Sequence, residues 1–201
     1  MIEKAMKFES ILEYHDLIEA IVIAMEKRDP HTAHHSMRVS NMTQFLCGIL
    51  ELPADEAALY HIAADLHDIG KLGVRDAVLL KESKLNDDEW CEMRSHAAIG
   101  GEILNKVERF AVISKIVRHH HERWDGRGYP DGISGERIPL GSRIIAVADS
   151  IDAMLSNRSY RRSLTRESCQ IEIERNIGEM YDPRVASAAL DHWDALLAVR
   201  Q

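Results

Sequence analysis

The sequence predicts an all-α protein, one compact domain of about seven or eight helices. Three observations carry that prediction. Apolar residues recur three and four positions apart through most of the chain, the period of one helix face. No stretch of any length alternates apolar and polar residues as a half-buried strand would. There is no repeat and no low-complexity linker, and 201 residues with 45% hydrophobic content suit one sizeable core.

The elements follow in order. Residues 11–27 carry Ile11, Leu12, Leu17, Ile18, Ile21, Val22 and Met25 on one stripe. Residues 1–27 are therefore expected to be an N-terminal helix that caps the domain or pairs with a second copy, and 28–201 the body. Asp29-Pro30 reads as an N-cap with Pro at the first helical position. The helix it opens carries His31, His34, His35, Arg38, Val39, Met42, Phe45, Leu46 and Ile49, with His31 and His35 four apart on one face. Leu52-Pro53 breaks it. A third helix over 54–69 ends in His67-Asp68, with Gly70 as its stop. Residues 72–84 read as irregular. A capping sequence at 85–88 starts a helix through Trp90 and Met93; His96 follows, and 97–104 is a helix of small residues. Residues 111–121 present Val112, Ile113, Ile116 and Val117 as an apolar side, and 122–139 is loop. Residues 141–155 are nearly all apolar around Asp149 and Asp152, so that helix is central. Amphipathic helices over 165–178 and 183–197 close the chain.

Composition excludes several classes. The net charge is -8 and the pI about 5.8, which argues against coating polymeric nucleic acid or a polybasic membrane anchor. An anionic substrate needs a local basic patch, and Arg158, Arg161, Arg162 and Arg166 supply one. Cys47, Cys91 and Cys169 are odd in number and scattered, reading as reduced thiols of a cytoplasmic protein. No apolar run is long enough to span a bilayer, and no signal-peptide pattern opens the chain.

The most informative stretch is 118–130, Arg-His-His-His-Glu-Arg-Trp-Asp-Gly-Arg-Gly-Tyr-Pro. Neutral imidazole is the commonest metal ligand. The Gly and Pro residues that follow cannot continue a helix, so histidines stand at a helix end beside a shaped loop. His35, His67, Asp68, His96, His120, His121 and Asp149 lie on separate helices or helix ends in largely apolar surroundings. Buried carboxylates such as Asp68 and Asp149 need partners, and a pair of divalent cations would satisfy both. Nitrogen and carboxylate donors suit iron, manganese, zinc or nickel better than calcium. Taken alone, a His on an apolar helix is more often a core residue, and Asp152 more often hydrogen-bonds a neighbour; the joint occurrence carries the reading.

His67-Asp68 within Leu-His-Asp-Ile-Gly-Lys resembles the signature of the HD phosphohydrolase superfamily. Residues 118–130 resemble the extended signature of its HD-GYP subgroup. The likeness runs over about 28–183 and includes Asn157 to Arg162. It implies a helical HD-type catalytic domain that hydrolyses cyclic di-GMP to linear pGpG, or further to GMP, with a metal-activated hydroxide. Two divalent transition-metal ions are implied, iron or manganese first and zinc or nickel next. One would take His35, His67, Asp68 and Asp149, the other Asp68, His96, His120 and His121. Asp68 thus bridges, and His119 is the extra member of the triplet. Lys71 matches a lysine at the scissile phosphate, Arg158 and Arg161 match phosphate-holding positions, and Gly128, Tyr129 and Pro130 shape the guanine side. The residues agree with that chemistry: two cations shield the repulsion between a phosphodiester and an attacking hydroxide, and Lys71 adds positive charge.

Two positions depart from the family pattern. His31 stands where Tyr is common and where members with a third metal carry an acid, so an accessory contact or third metal there is an expectation. His34 stands where Gly is usual. The rival readings are hydrolysis of another nucleotide such as cyclic GMP-AMP, and a dinucleotide-sensing or interaction module without turnover. A homodimer or a regulatory protein partner is a further expectation.

Overall fold

The computed structural model describes residues 15–29, 34–157 and 163–200. Among these, ten α-helices run in order: α1 His15–Arg28, α2 His35–Ile49, α3 Ala54–Asp65, α4 Asp76–Leu79, α5 Asp87–Leu104, α6 Ala111–Arg118, α7 Leu140–Leu155, α8 Arg166–Arg175, α9 Pro183–Asp191 and α10 Trp193–Val199. The described residues hold no strand, only an isolated bridge between Ile177 and Tyr181.

The core forms around α7, where Ile144, Ile145, Val147, Ala148 and Ile151 are fully buried. On one side α2 packs against both α3 and α7, burying Val39, Met42 and Leu46. Each such aliphatic side chain taken from water contributes about 1.5–3 kcal/mol. Ile18 and Met25 of α1 join the same core, while Leu17 of the expected stripe is exposed. On α6, Ile113, Ile116 and Val117 are buried and Val112 faces out.

Local signals account for several helix starts. Asn86 caps α5 by accepting from the Glu89 amide, and Glu89 returns the bond to Asn86, a capping box. Thr165 accepts from the Ser168 amide ahead of α8, and Asp182 accepts from the Arg184 amide ahead of Pro183.

Several boundaries differ from expectation, and α6 and α8 stop three residues early, at Arg118 and Arg175. Asp29 does not open α2; its amide closes α1 on Met25 O at 3.0 Å, its carboxylate lies 3.6 Å from Lys71 Nζ, and α2 starts at His35. The third helix stops at Asp65, before His67-Asp68, and a 3-10 segment spans Ile69–Gly73. The stretch expected to be irregular holds α4. The last predicted helix is two, broken at His192, whose φ of -119° is off the helical value. Conversely, Trp90, His96 and the small residues 97–104 share one continuous α5.

One glycine sets the distance between the two halves of the site. A Cβ on Gly70 would lie 1.8 Å from His96 O and 2.5 Å from Gly100 N. Only a residue without a side chain lets the 3-10 segment sit against α5, and that contact brings Asp68 to His96.

Candidate metal centre

His67 and Asp68 occupy the turn after α3, His35 is the first residue of α2, His96 lies mid-α5, His120 and His121 follow α6, and Asp149 lies on α7. The fold brings all seven together. Three groups each offer ligand atoms within 4.8 Å of one another: His96, His120 and His121; His35, His67 and Asp149; and His67, Asp68 and His120. Asp68 also lies between the sets, 4.0 Å from His35 Nε2, 3.5 Å from His67 Nε2 and 3.5 Å from His96 Nε2.

The ring tautomers are set by backbone acceptors. Nδ1 of His67 meets Ala64 O at 2.6 Å, Nδ1 of His96 meets Met93 O at 2.7 Å, and Nδ1 of His120 meets Val117 O at 2.6 Å. A carbonyl oxygen only accepts, so each Nδ1 carries the proton and each neutral ring keeps a lone pair on Nε2. His35 is oriented by Asp152, whose Oδ2 accepts from Nδ1 at 2.7 Å, while its Nε2 lies 3.2 Å from Asp149 Oδ1. Nε2 of His96 and Nε2 of His120 stand 3.3 Å apart. Two lone pairs facing at that distance call for a cation between them. Metal–nitrogen bonds of about 2.1 Å at a tetrahedral angle separate nitrogens by roughly 3.4 Å, so the donors fit a transition metal.

Burial and charge hold these groups ready. Burial pushes His121 down to about 3, with the neighbouring His96 adding to it, and burial lowers His96 and His120 as well. Burial disfavours charge on His35 too, but its bonds to Asp149 and Asp152 outweigh that and raise it to about 9. Burial raises Asp68 and Asp149 in isolation; Lys71 and the histidines around Asp68, and His35 beside Asp149, bring both below the usual carboxylate range.

A family model described as an HD domain matches residues 20–185. The chain belongs to the HD domain family. Within it the residues from His120 to Pro130 make this an HD-GYP protein. It is 36% identical over 187 residues to a 3'3'-cGAMP-specific phosphodiesterase of Vibrio cholerae, covering 92% of this chain and 36% of that one. It is 39% identical over 177 residues to the cyclic di-GMP phosphodiesterase response regulator RpfG of Xanthomonas campestris, covering 87% of this chain and 47% of that one. The chain thus spans less than half the length of these two relatives. A solved cyclic GMP-AMP specific phosphodiesterase of Vibrio cholerae superposes with a TM-score of 0.71 at 19% identity, over 90% of this chain and 49% of that one, a likeness of fold.

In this HD domain the remaining predicted residues fall in three places. Lys71 Nζ lies 2.7 Å from Asp68 Oδ2, and burial, which would lower it, is outweighed by Asp68 so that it is raised. Gly128, Tyr129 and Pro130 form the loop wall. The Tyr129 ring lies 5.0 Å from that of His121, its amide donates to His121 O at 3.3 Å, and the Arg94 guanidinium sits 5.5 Å from the ring centre. A Cβ on Gly128 would fall 2.3 Å from Arg123 N, so the loop folds back on the residues just after His121. His31, Arg158 and Arg161 lie outside the described residues.

Sequence reasoning underrated three residues. Asp152 is fully buried and takes Arg38 at 2.7 and 3.0 Å and Arg200 at 2.7 Å in addition to His35, so it orients a ligand. Its spacing from Asp149 was the available signal. Asp29 reaches Lys71, and Arg28 donates to Lys71 O at 2.7 Å; no local pattern announces either contact. His119 turns away from the centre, toward Lys115 O at 2.8 Å and Asp131.

Proposed function

We propose that this HD domain is a binuclear metal-dependent phosphodiesterase that opens cyclic di-GMP to linear pGpG, or onward to GMP. The observation that carries the reading is the convergence of Nε2 atoms from His35, His67, His96 and His120 on the carboxylates of Asp68 and Asp149, with Asp68 between the sets. Relatives named as cyclic di-GMP and cyclic GMP-AMP phosphodiesterases support it.

His35, His67, Asp68 and Asp149 would hold one cation, and Asp68, His96, His120 and His121 the other. The donors are nitrogen and oxygen without thiolate, which suits iron or manganese, and next zinc or nickel. Two such cations would lower the pKa of water and offset the charge of a phosphodiester. The chain's own residues do the rest. The Nδ1 bonds of His67, His96 and His120 to backbone carbonyls keep their Nε2 lone pairs aimed at the centre. Lys71, about a fifth exposed at its side chain, can leave Asp68 Oδ2 for a non-bridging phosphate oxygen as charge develops there. Tyr129 and the Gly128–Pro130 backbone flank the base, and Arg158 and Arg161 hold the outer phosphates. The activity belongs to bacterial second-messenger signalling in the cytoplasm, with 28–201 as the catalytic domain and 1–27 as its cap or dimer helix.

A second reading has one observation in its favour, a relative named as specific for 3'3'-cGAMP. The test compares turnover of cyclic di-GMP, 3'3'-cGAMP and cyclic di-AMP by anaerobically purified protein of measured metal content, beside Asp68→Asn. We expect cyclic di-GMP to be cleaved fastest. Asp68→Asn should lower metal content and cut turnover by orders of magnitude with its helical spectrum intact. Faster 3'3'-cGAMP cleavage moves the assignment to the second reading, binding without turnover makes the domain a sensor, and full activity of Asp68→Asn sinks the bridging role.

A further inference from the structure

The cluster formed by His119, Glu122 and Asp131 lies outside the donor groups described above and has no part in them. Each of the three offers a ligand atom within 4.8 Å of the others. Two of its groups bear on what it can hold.

The first is His119. Its Nδ1 meets Lys115 O at 2.8 Å and must donate there. The neutral ring therefore keeps a lone pair on Nε2, and that atom faces Asp131 Oδ2 at 2.9 Å. Those two atoms are hydrogen-bonded as they stand and are equally placed to share a metal ion. The second is Glu122, only 3% exposed. Its Oε1 accepts from the amides of Asp131 at 2.7 Å and Gly132 at 3.0 Å. Its Oε2 is buried and has no hydrogen-bond partner among the described residues. An unsatisfied buried carboxylate oxygen is costly, and a cation shared with His119 and Asp131 would offset that cost.

We propose that His119, Glu122 and Asp131 form a further divalent-metal site, separate from the central one, for a zinc-class cation. One imidazole and two carboxylates with a position left open is a donor set that zinc accepts. Asp131 has a half-open side chain, 36% exposed, which leaves an entry path. Arg118 already holds both Asp131 oxygens, at 2.8 and 2.7 Å. A carboxylate oxygen has lone pairs for two partners, so Arg118 steers Asp131 without using it up. The site joins the end of α6 to the residue just after Tyr129-Pro130. A cation here braces the loop wall against His121 from outside. It needs no part of the hydrolase reading.

The test uses the whole chain loaded with zinc and dialysed against zinc-free buffer. Anomalous maps at the zinc edge should show a peak between His119 Nε2, Glu122 and Asp131 in addition to any in the central cluster. His119→Ala should retain one zinc fewer per chain than wild type by elemental analysis, and Asp131→Asn, which keeps the side-chain shape, should do the same. A wild-type map with central peaks and none at His119 would overturn the proposal and leave His119–Asp131 as a charged hydrogen bond. So would equal zinc content in wild type and both variants. The central peaks report separately on the central site, so the two readings fail independently.

Discussion

Replacing Asp152 with Asn separates what holds the fold from what aims a ligand. Asp152 receives His35 Nδ1 at 2.7 Å, Arg38 at 2.7 and 3.0 Å and Arg200 at 2.7 Å. Burial acts to raise its carboxyl, and the bonds to His35 and Arg38 outweigh this and lower it. The amide preserves shape but removes the charge, and its NH2 must face an N–H donor. Removing one partner of a buried ion pair costs about 3–5 kcal/mol. The Arg38 and Arg200 side chains are 20% and 22% exposed, so water recovers part of the loss and we expect about 3 kcal/mol, the lower end. The metal effect is separate. Loss of a ligand's orienting partner typically lowers metal affinity by roughly 10–100-fold, or about 1.4–2.7 kcal/mol. Urea unfolding of metal-free protein reads the first number, and competition with a chromophoric chelator reads the second. A destabilised variant with wild-type metal affinity would refute the claim that Asp152 orients His35.

The remaining predictions concern pH, packing and substrate. Metal-free protein should be most stable near neutrality. His121 is depressed to about 3, mainly by burial, and His96 and His120 are lowered likewise. Below 6.5 the unfolded chain therefore binds protons that the folded state refuses, and stability falls with pH. His35, raised to about 9 against its burial by Asp149 and Asp152, contributes stability that is complete below 6.5 and lost as pH rises through 9. Melting temperatures across this range check both limbs, and a flat acid limb contradicts the burial argument. Gly70→Ala should cost about 1–3 kcal/mol by overpacking and loosen metal binding, because α5 must retreat from Asp68; a thermal shift assay with a metal titration reads both. Arg158→Ala or Arg161→Ala should weaken binding of a non-hydrolysable dinucleotide by about 1.5–3 kcal/mol at unchanged metal content. Unchanged affinity would assign those arginines to the solvated face.

What could be read in the sequence was whatever short-range physics decides. The apolar run around Asp149 became α7, the capping sequence at 85–88 sits at the start of α5, and the closing helices start where expected, near 165 and at 183. That His119 is the odd member of its triplet came from the family likeness, not from local geometry. The misses are long-range. Asp29-Pro30 reads locally as a helix start, yet the Asp29 carboxylate goes to Lys71. The third helix ends early because Gly70 must meet the backbone of His96, a contact with no local sign. Arg200 pairs with Asp152 from the far end of the chain, which periodicity cannot foresee.

The charge of the site explains why an acidic protein would suit an anionic substrate. Asp152 is matched by Arg38 and Arg200, so it adds little net charge to the centre. Asp68 and Asp149 bring two negative charges, Lys71 and the raised His35 two positive, while burial keeps His96, His120 and His121 neutral. Without metal, that inner set sums to about zero and its cations are tied to its own carboxylates, so nothing draws a phosphodiester in. Two divalent cations would make the centre strongly positive and, by occupying the oxygens of Asp68, would release Lys71 from its 2.7 Å contact. Metal loading would then create both the positive field and the free ammonium that a cyclic dinucleotide needs. On this reading substrate affinity is a consequence of metal occupancy, and the acidic surface, at a net charge of -8, leaves anions to bind where the cations are.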